Sequence, residues 1–183
     1  MFIMPKHRIL FLIITTAMLC GCQSIASEPP SYWRASTSQI TFSNHGIPVV
    51  LSGYFLSKQQ KEIAIASIQD SGDLRVDVFV LKEGHWQSES SYRQHTSARL
   101  IDHIRLGDKD HLVIVSGSDV QLIDLKSNST SFLSVDPGFN MDMRELKKAN
   151  VVKDLNGDAL DDLVFPHNQG FFVLLQDSNG QLG

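Results

Sequence analysis

Near the end of the chain, the nine-residue stretch Asp154-Leu155-Asn156-Gly157-Asp158-Ala159-Leu160-Asp161-Asp162 is crowded with oxygen donors. When such a loop curls, the side chains of Asp154, Asn156, Asp158 and Asp162 can meet at one point, and the main-chain carbonyl of Leu160 supplies a further oxygen. Ca²⁺ takes that arrangement: six to eight hard oxygens, several of them charged, at roughly 2.3–2.6 Å. Asp154, Asp158 and Asp162 would place three negative charges around one dication, with Asn156 adding a neutral oxygen. The same residues also suit a solvated acidic turn, because Asn-Gly and Asp favour turns with no metal at all. An EF-hand shares the D-x-N-x-D opening but requires Gly at its sixth position and Glu at its twelfth. Here those places hold Ala159 and Phe165, and the residues that follow read as a strand rather than a helix.

The elements that must position this loop recur along the chain. The apolar runs Ile63-Ala64-Ile65-Ala66, Leu112-Val113-Ile114-Val115 and Leu163-Val164-Phe165 lie 49 and then 51 residues apart. By those offsets Leu51, Phe55, Ile63 and Ile65 correspond to Leu100, Ile104, Leu112 and Ile114, and then to Val151, Leu155, Leu163 and Phe165, apolar at every place. Each run is followed by a second strand-like segment, at 76–81, 120–125 and 171–175. These segments are rich in branched and aromatic residues and bounded by turn formers. In the first copy Gly84-His85-Trp86 opens a fourth strand to about Tyr92. Four-stranded antiparallel units recurring every 40 to 50 residues point to a β-propeller or to stacked β units. The expected fold is therefore all-β: a partial β-propeller over residues 40–183 with about three antiparallel four-stranded blades, at about 48–92, 97–135 and 149–183. The last blade is expected to be incomplete, because the third copy stops at Gly180-Gln181-Leu182-Gly183, where its final strand should begin. Residues 141–148 are the one helical candidate.

Closure at the ninth position followed by Asp-Leu-Val-Phe resembles the FG-GAP or VCBS repeat, found in integrin α-chain propellers and in many bacterial extracellular proteins. Val173-Leu174-Leu175-Gln176-Asp177-Ser178-Asn179-Gly180 is similar to that family's second strand and its polar, glycine-containing turn. The resemblance covers the third copy in its motif and the first two in apolar frame and spacing only. It implies a calcium-binding blade loop with Asp154, Asn156, Asp158, Leu160 and Asp162 as ligands. One departure stands out: the family usually has Gly after the third ligand, where this chain has Ala159. If that place needs a positive φ, a Cβ there costs on the order of 1 kcal/mol. The same ligand positions in the first copy hold Tyr54, Leu56, Lys58 and Glu62, and in the second His103, Arg105, Gly107 and His111, so neither can hold a dication. Lys58 falls where a carboxylate would sit and is a candidate to replace the ion's charge in its turn.

At the other end, Lys6 and Arg8 precede an uncharged, mostly apolar run from Ile9 to Leu19, 11 residues long. At 1.5 Å per residue that run is too short to cross a hydrocarbon layer roughly 30 Å thick, and it reads as a secretion signal. Leu19-Cys20-Gly21-Cys22 resembles the bacterial lipobox, which implies cleavage of residues 1–21 and acylation of Cys22. Cleavage leaves 162 residues and takes the formal charge from -4 to -6, since Lys6 and Arg8 leave with the signal. Gln23 follows the cysteine where inner-membrane lipoproteins often have Asp, so the resemblance implies sorting to the outer membrane or cell envelope of a Gram-negative cell. Residues 22–39, with Pro29-Pro30 and five Ser from Gln23 on, read as a flexible tether.

Length and composition bound the rest. In 183 residues, 42% are hydrophobic and 20% charged, enough apolar content to offset chain ordering in a globular fold. Sixteen basic against 20 acidic residues leave too little positive charge for a phosphate-neutralising face, so nucleic acid is not an expected partner. Cys20 and Cys22 exclude a disulfide framework and a Cys-rich zinc site. There is no G-x-S-x-G elbow, and the spacing of His103 and His111 matches no zinc signature. Trp33, Trp86, Tyr92 and the Phe171-Phe172 pair are expected in the core. The reading is a non-enzymatic, calcium-stabilised envelope lipoprotein, held to the membrane by its lipid anchor and binding a protein or glycan through propeller loops. The alternative is the N-terminal part of a propeller-type polysaccharide hydrolase or lyase whose catalytic residues lie beyond this chain. On either reading the sequence is expected to be a fragment of a longer propeller.

Overall fold

The computed structural model describes residues 40, 47–97, 100–116, 119–135, 145–167 and 169–183. The signal segment, Cys22, the tether and Trp33 lie outside the described residues. The described chain is all-β, in three sheets built almost wholly from antiparallel pairs. The first sheet runs in order through β1 (Val49–Gly53), β2 (Glu62–Ile68), β3 (Asp73–Lys82) and β4 (His85–His95). A two-residue turn joins β3 to β4, and its Glu83 and Gly84 both have positive φ, the twist that matches flanking strands in a tight hairpin. The second sheet has the order β8-β7-β6-β5-β9, from β5 (Leu100–Leu106), β6 (Lys109–Val115), β7 (Val120–Asp124), β8 (Ser129–Leu133) and β9 (Lys147–Lys148). The third sheet contains β10 (Val152–Lys153), β11 (Asp162–His167) and β12 (Gly170–Leu174).

Strand period two decides the packing. In the middle sheet, Leu112 and Ile114 of β6 join one core with Leu51, Ala64, Ala66, Val76 and Val78 of the first sheet. Val113 and Val115, the residues between and after them, join a second core with Leu163 and Phe165 of the third sheet. The middle sheet is thus covered on both faces, which explains why β6 reads as a continuous apolar run rather than an alternating one. The leading strands of the three sheets are neighbours, with β5 lying against both β1 and β10. Among the described residues the sheets close into neither a barrel nor a ring.

Two expectations need correction. The helical candidate at 141–148 is not a helix where it is described: Lys147 and Lys148 pair in parallel with Leu100 and Ile101, while 141–144 lie outside the described residues. Leu146 and Ala149, on either side of this short pairing, are buried, while Glu145, Lys147 and Lys148 are exposed. Of the aromatics expected in the core, Tyr92 is buried, Trp86 and Phe172 are half-buried, and Phe171 is exposed. Phe171 faces outward because no described sheet packs on that side of β12.

Candidate functional site

Asp154–Asp162 forms the connection from β10 to β11, closed by the pair Lys153↔Asp162. The first sheet builds the same connection between β1 and β2, closed by Gly53↔Glu62, so two copies of the repeat carry an eight-residue loop between identical registers. In the third copy the chain is curled by its own side chains. Asp154 accepts hydrogen bonds from the amides of Gly157 (2.7 Å) and Ala159 (3.0 Å). Asn156 Oδ1 accepts from the Asp158 amide at 3.1 Å, and Asp158 Oδ1 accepts from the Leu160 amide at 2.9 Å. These are successive Asx turns, the local bonding that makes Asn and Asp turn formers. Both Gly157 (φ 80°) and Ala159 (φ 67°) adopt the left-handed conformation, so the position expected to need Gly does have positive φ.

Asp162 is the buried end of the loop. One of its carboxylate oxygens accepts from the Leu155 amide and the other from the Gln176 amide, each at 2.8 Å. Glu62 does the corresponding work in the first sheet, accepting from Phe55 (2.7 Å), Leu56 (3.3 Å) and Ser57 (3.1 Å) amides. Both carboxylates are fully buried, and amide donors are what make such burial affordable.

The donor set suits a hard dication in chemistry: Asp154, Asn156, Asp158, Asp162 and the Leu160 carbonyl offer oxygen only. No ion pair among the described residues reaches Asp154, Asp158 or Asp162, which leaves three carboxylates of one loop without a side-chain cation. Each carboxylate oxygen that accepts one amide keeps a second lone pair. The side chains are turned onto loop amides, and among the described residues no three acidic, His or Cys groups converge in metal-holding geometry.

The other two loops differ from it in instructive ways. Lys58 does not turn into its own loop; its ammonium pairs with Asp108 of the second sheet at 2.9 Å, both side chains exposed. That hydrogen bond raises the Lys58 pKa and lowers that of Asp108. In the second copy there is no loop to curl, because β5 and β6 pair up to Leu106↔Lys109 around Gly107-Asp108. His103 sits across from Leu112 and His111 across from Ile104, so the two histidines lie on opposite faces and cannot share a ligand. Half-buried His111 has its pKa lowered by desolvation.

Sequence reasoning missed the residues that tie the loops together. Asp110 accepts a hydrogen bond from the Tyr54 amide at 2.6 Å, over Gly53, where a Cβ would collide with that carboxylate. One repeat later, Asp161 accepts from the Arg105 amide at 2.9 Å. Buried Gln176 donates through Nε2 to the carbonyls of Arg105 and Asp161, each at 2.8 Å. Arg105 and Lys61 lie over the Tyr54 ring at 4.9 and 5.7 Å. The available signal was that Asp110 and Asp161 are 51 residues apart, the repeat offset, each just before the ninth loop position. Between these links Arg105, Leu160, Asp161 and Gln176 line an open hollow of about 340 Å³. Compared with protein-family models, with curated proteins and with solved structures, the chain finds no match.

Proposed function

We propose that the protein is an envelope-anchored, calcium-stabilised module with three propeller-like blades of the FG-GAP or VCBS type, acting by binding a protein or glycan at its loops. The observation that carries the calcium reading is the curled Asp154–Asp162 loop: two left-handed residues, serial Asx turns and three carboxylates with no cation beside them. Asp154, Asn156, Asp158, the Leu160 carbonyl and Asp162 are the proposed ligands, and the ion's role is to neutralise the loop and fix its curl. Support for the blade reading comes from the two cores, in which each sheet lays the same register positions against the next. Acylation of Cys22 would hold the module at the outer membrane by its acyl chains, each contributing about 0.8 kcal/mol per buried methylene.

Melting curves of the full chain with calcium and with chelator test the reading. A ligand selective for the folded state stabilises by RT ln(1 + [L]/Kd), about 0.6–2 kcal/mol for ~2 mM Ca²⁺ and a Kd of about 10⁻³–10⁻⁴ M. For a domain of this size that is a rise in Tm of roughly 1–8 °C. The rise is expected to vanish in Asp158→Asn. A melting point indifferent to calcium in the parent chain rejects the ion.

A further inference from the structure

Register places Tyr54, Arg105 and Asp154 at one point of the three sheets, each following the strand residue that pairs with the ninth loop position: Gly53 with Glu62, Ile104 with His111 and Lys153 with Asp162. The eighth position holds Lys61, Asp110 and Asp161 in turn. Asp110 and Asp161 reach back to the preceding sheet and hold the amides of Tyr54 and Arg105. Lys61 has no carboxylate with which to make that tie. Its ammonium lies 5.7 Å from the centre of the Tyr54 ring, and the Arg105 guanidinium lies 4.9 Å from the same centre. Both side chains are exposed, and among the described residues neither forms an ion pair. The acids around them are engaged elsewhere, Asp108 with Lys58 and Asp110 and Asp161 on backbone amides. Two unpaired cations thus gather at one aromatic ring, whose face attracts each of them, in a chain of net charge -4. An anionic ligand is what neutralises such a pair.

Arg105 also lines the open hollow of about 340 Å³, together with Gly107, with Leu160 and Asp161 of the third-sheet loop, and with Gln176 and Ser178 after β12. Ligand pockets run from roughly 300 to 1,000 Å³, so this one suits a small polar unit such as a single sugar ring. Asp161 spends one carboxylate oxygen on the Arg105 amide, and its other oxygen has no hydrogen-bond partner among the described residues. A carboxylate in the wall repels a second acid and accepts hydrogen bonds from hydroxyls. A guanidinium takes a carboxylate through two parallel N–H bonds. The ligand that answers both carries an acid and several hydroxyls on one ring, which is the chemistry of a uronate. An acidic peptide would satisfy Lys61 and Arg105 but has no hydroxyl to offer Asp161.

We infer that Tyr54, Lys61 and Arg105, with the hollow beside Arg105, bind a uronate-bearing glycan, its carboxylate on the two cations and its ring hydroxyls on Asp161. This rests on the reading that the loops bind a ligand, and not on calcium at the Asp154–Asp162 loop. Isothermal titration of the full chain in neutral detergent tests it with three probes: tetragalacturonate, its methyl ester, which keeps the hydroxyls and loses the charge, and tetraglutamate, which keeps the charge and has no hydroxyls. Tetragalacturonate is expected to bind, more weakly as salt is raised, and the other two to bind at least about tenfold more weakly. Arg105→Gln should weaken tetragalacturonate binding by about tenfold or more, and Arg105→Lys by less, because the charge stays and the fork is lost. Both Arg105 variants keep the main-chain tie to Asp161, and their far-UV circular dichroism and calcium-dependent rise in Tm should match the parent's. No binding of tetragalacturonate by the parent chain overturns the inference, as does binding indifferent to Arg105→Gln. An ester that binds as well as the acid overturns the uronate assignment and leaves a glycan-binding module standing, and tetraglutamate binding as well as the acid sugar overturns the glycan.

Discussion

Replacing Ala159 by Gly should make the protein more stable, against the usual direction of that change. Ala159 has φ 67°, and an L-residue held in the left-handed region pays roughly 1–2 kcal/mol. Glycine removes that cost but loses more backbone freedom on folding, by roughly 0.5–1 kcal/mol relative to Ala. The net expectation is a gain of about 0.5–1 kcal/mol. The mirror experiment is Gly157→Ala, at φ 80° in the same loop, where an added Cβ meets no atom within 4 Å. With no clash to add, its cost is conformational alone and should be a loss of about the same size. Urea unfolding of the full chain measures both: with m near about 2 kcal/mol/M, the midpoints should move by roughly 0.25–0.5 M in opposite directions at constant m. If Ala159→Gly destabilises, or Gly157→Ala is neutral, the loop does not hold its left-handed turns in solution and the argument for a pre-curled cation loop fails.

Two further outcomes follow from buried and paired carboxylates. Glu62→Ala removes the acceptor of three loop amides in a fully buried setting and should cost about 2 kcal/mol or more in chemical unfolding, while Glu62→Gln, which keeps one oxygen, should lose clearly less. Equal losses would show that the amides are satisfied by something else. Desolvation pushes the Asp124 pKa up, but Lys109, Ser127 and Lys126 outweigh it and bring the carboxyl down to about 2. Because this folded-state pKa lies below the ordinary value near 3.8, its stabilising contribution is complete above about pH 4 and is lost as pH falls toward 2. Acid unfolding of Asp124→Asn should therefore show a shallower decline across that window than the parent, and an unchanged decline would remove the Lys109 pairing as its cause.

The strand frame was legible because period-two alternation and recurrence reinforce each other: the apolar runs at 63, 112 and 163 all lie in strands that pair with the segment after them. The third loop was legible for a related reason, since Asp and Asn bond to amides two to five residues away and leave a local pattern. Asp110, Asp161 and Gln176 were harder to see, because their partners are amides and carbonyls up to 71 residues distant, with no side-chain identity to match. The pairing of Lys147-Lys148 with β5 is too short to write a period into the sequence. Phe171 shows a different limit: an apolar residue in a strand implies that a face wants covering, but not which element covers it. Leu155 is similar, apolar in the repeat frame yet exposed, whereas Phe55 at the matching place is buried.

Calorimetric titration of the metal-free full chain with Ca²⁺, run beside Asp158→Ala, bears most directly on the central claim that the third loop closes around a dication. The account predicts one ion per chain, an affinity in the range of about 10⁻⁴–10⁻³ M typical of extracellular sites, and no binding in the variant. No saturable uptake by the parent chain, or uptake that survives Asp158→Ala undiminished, would contradict it.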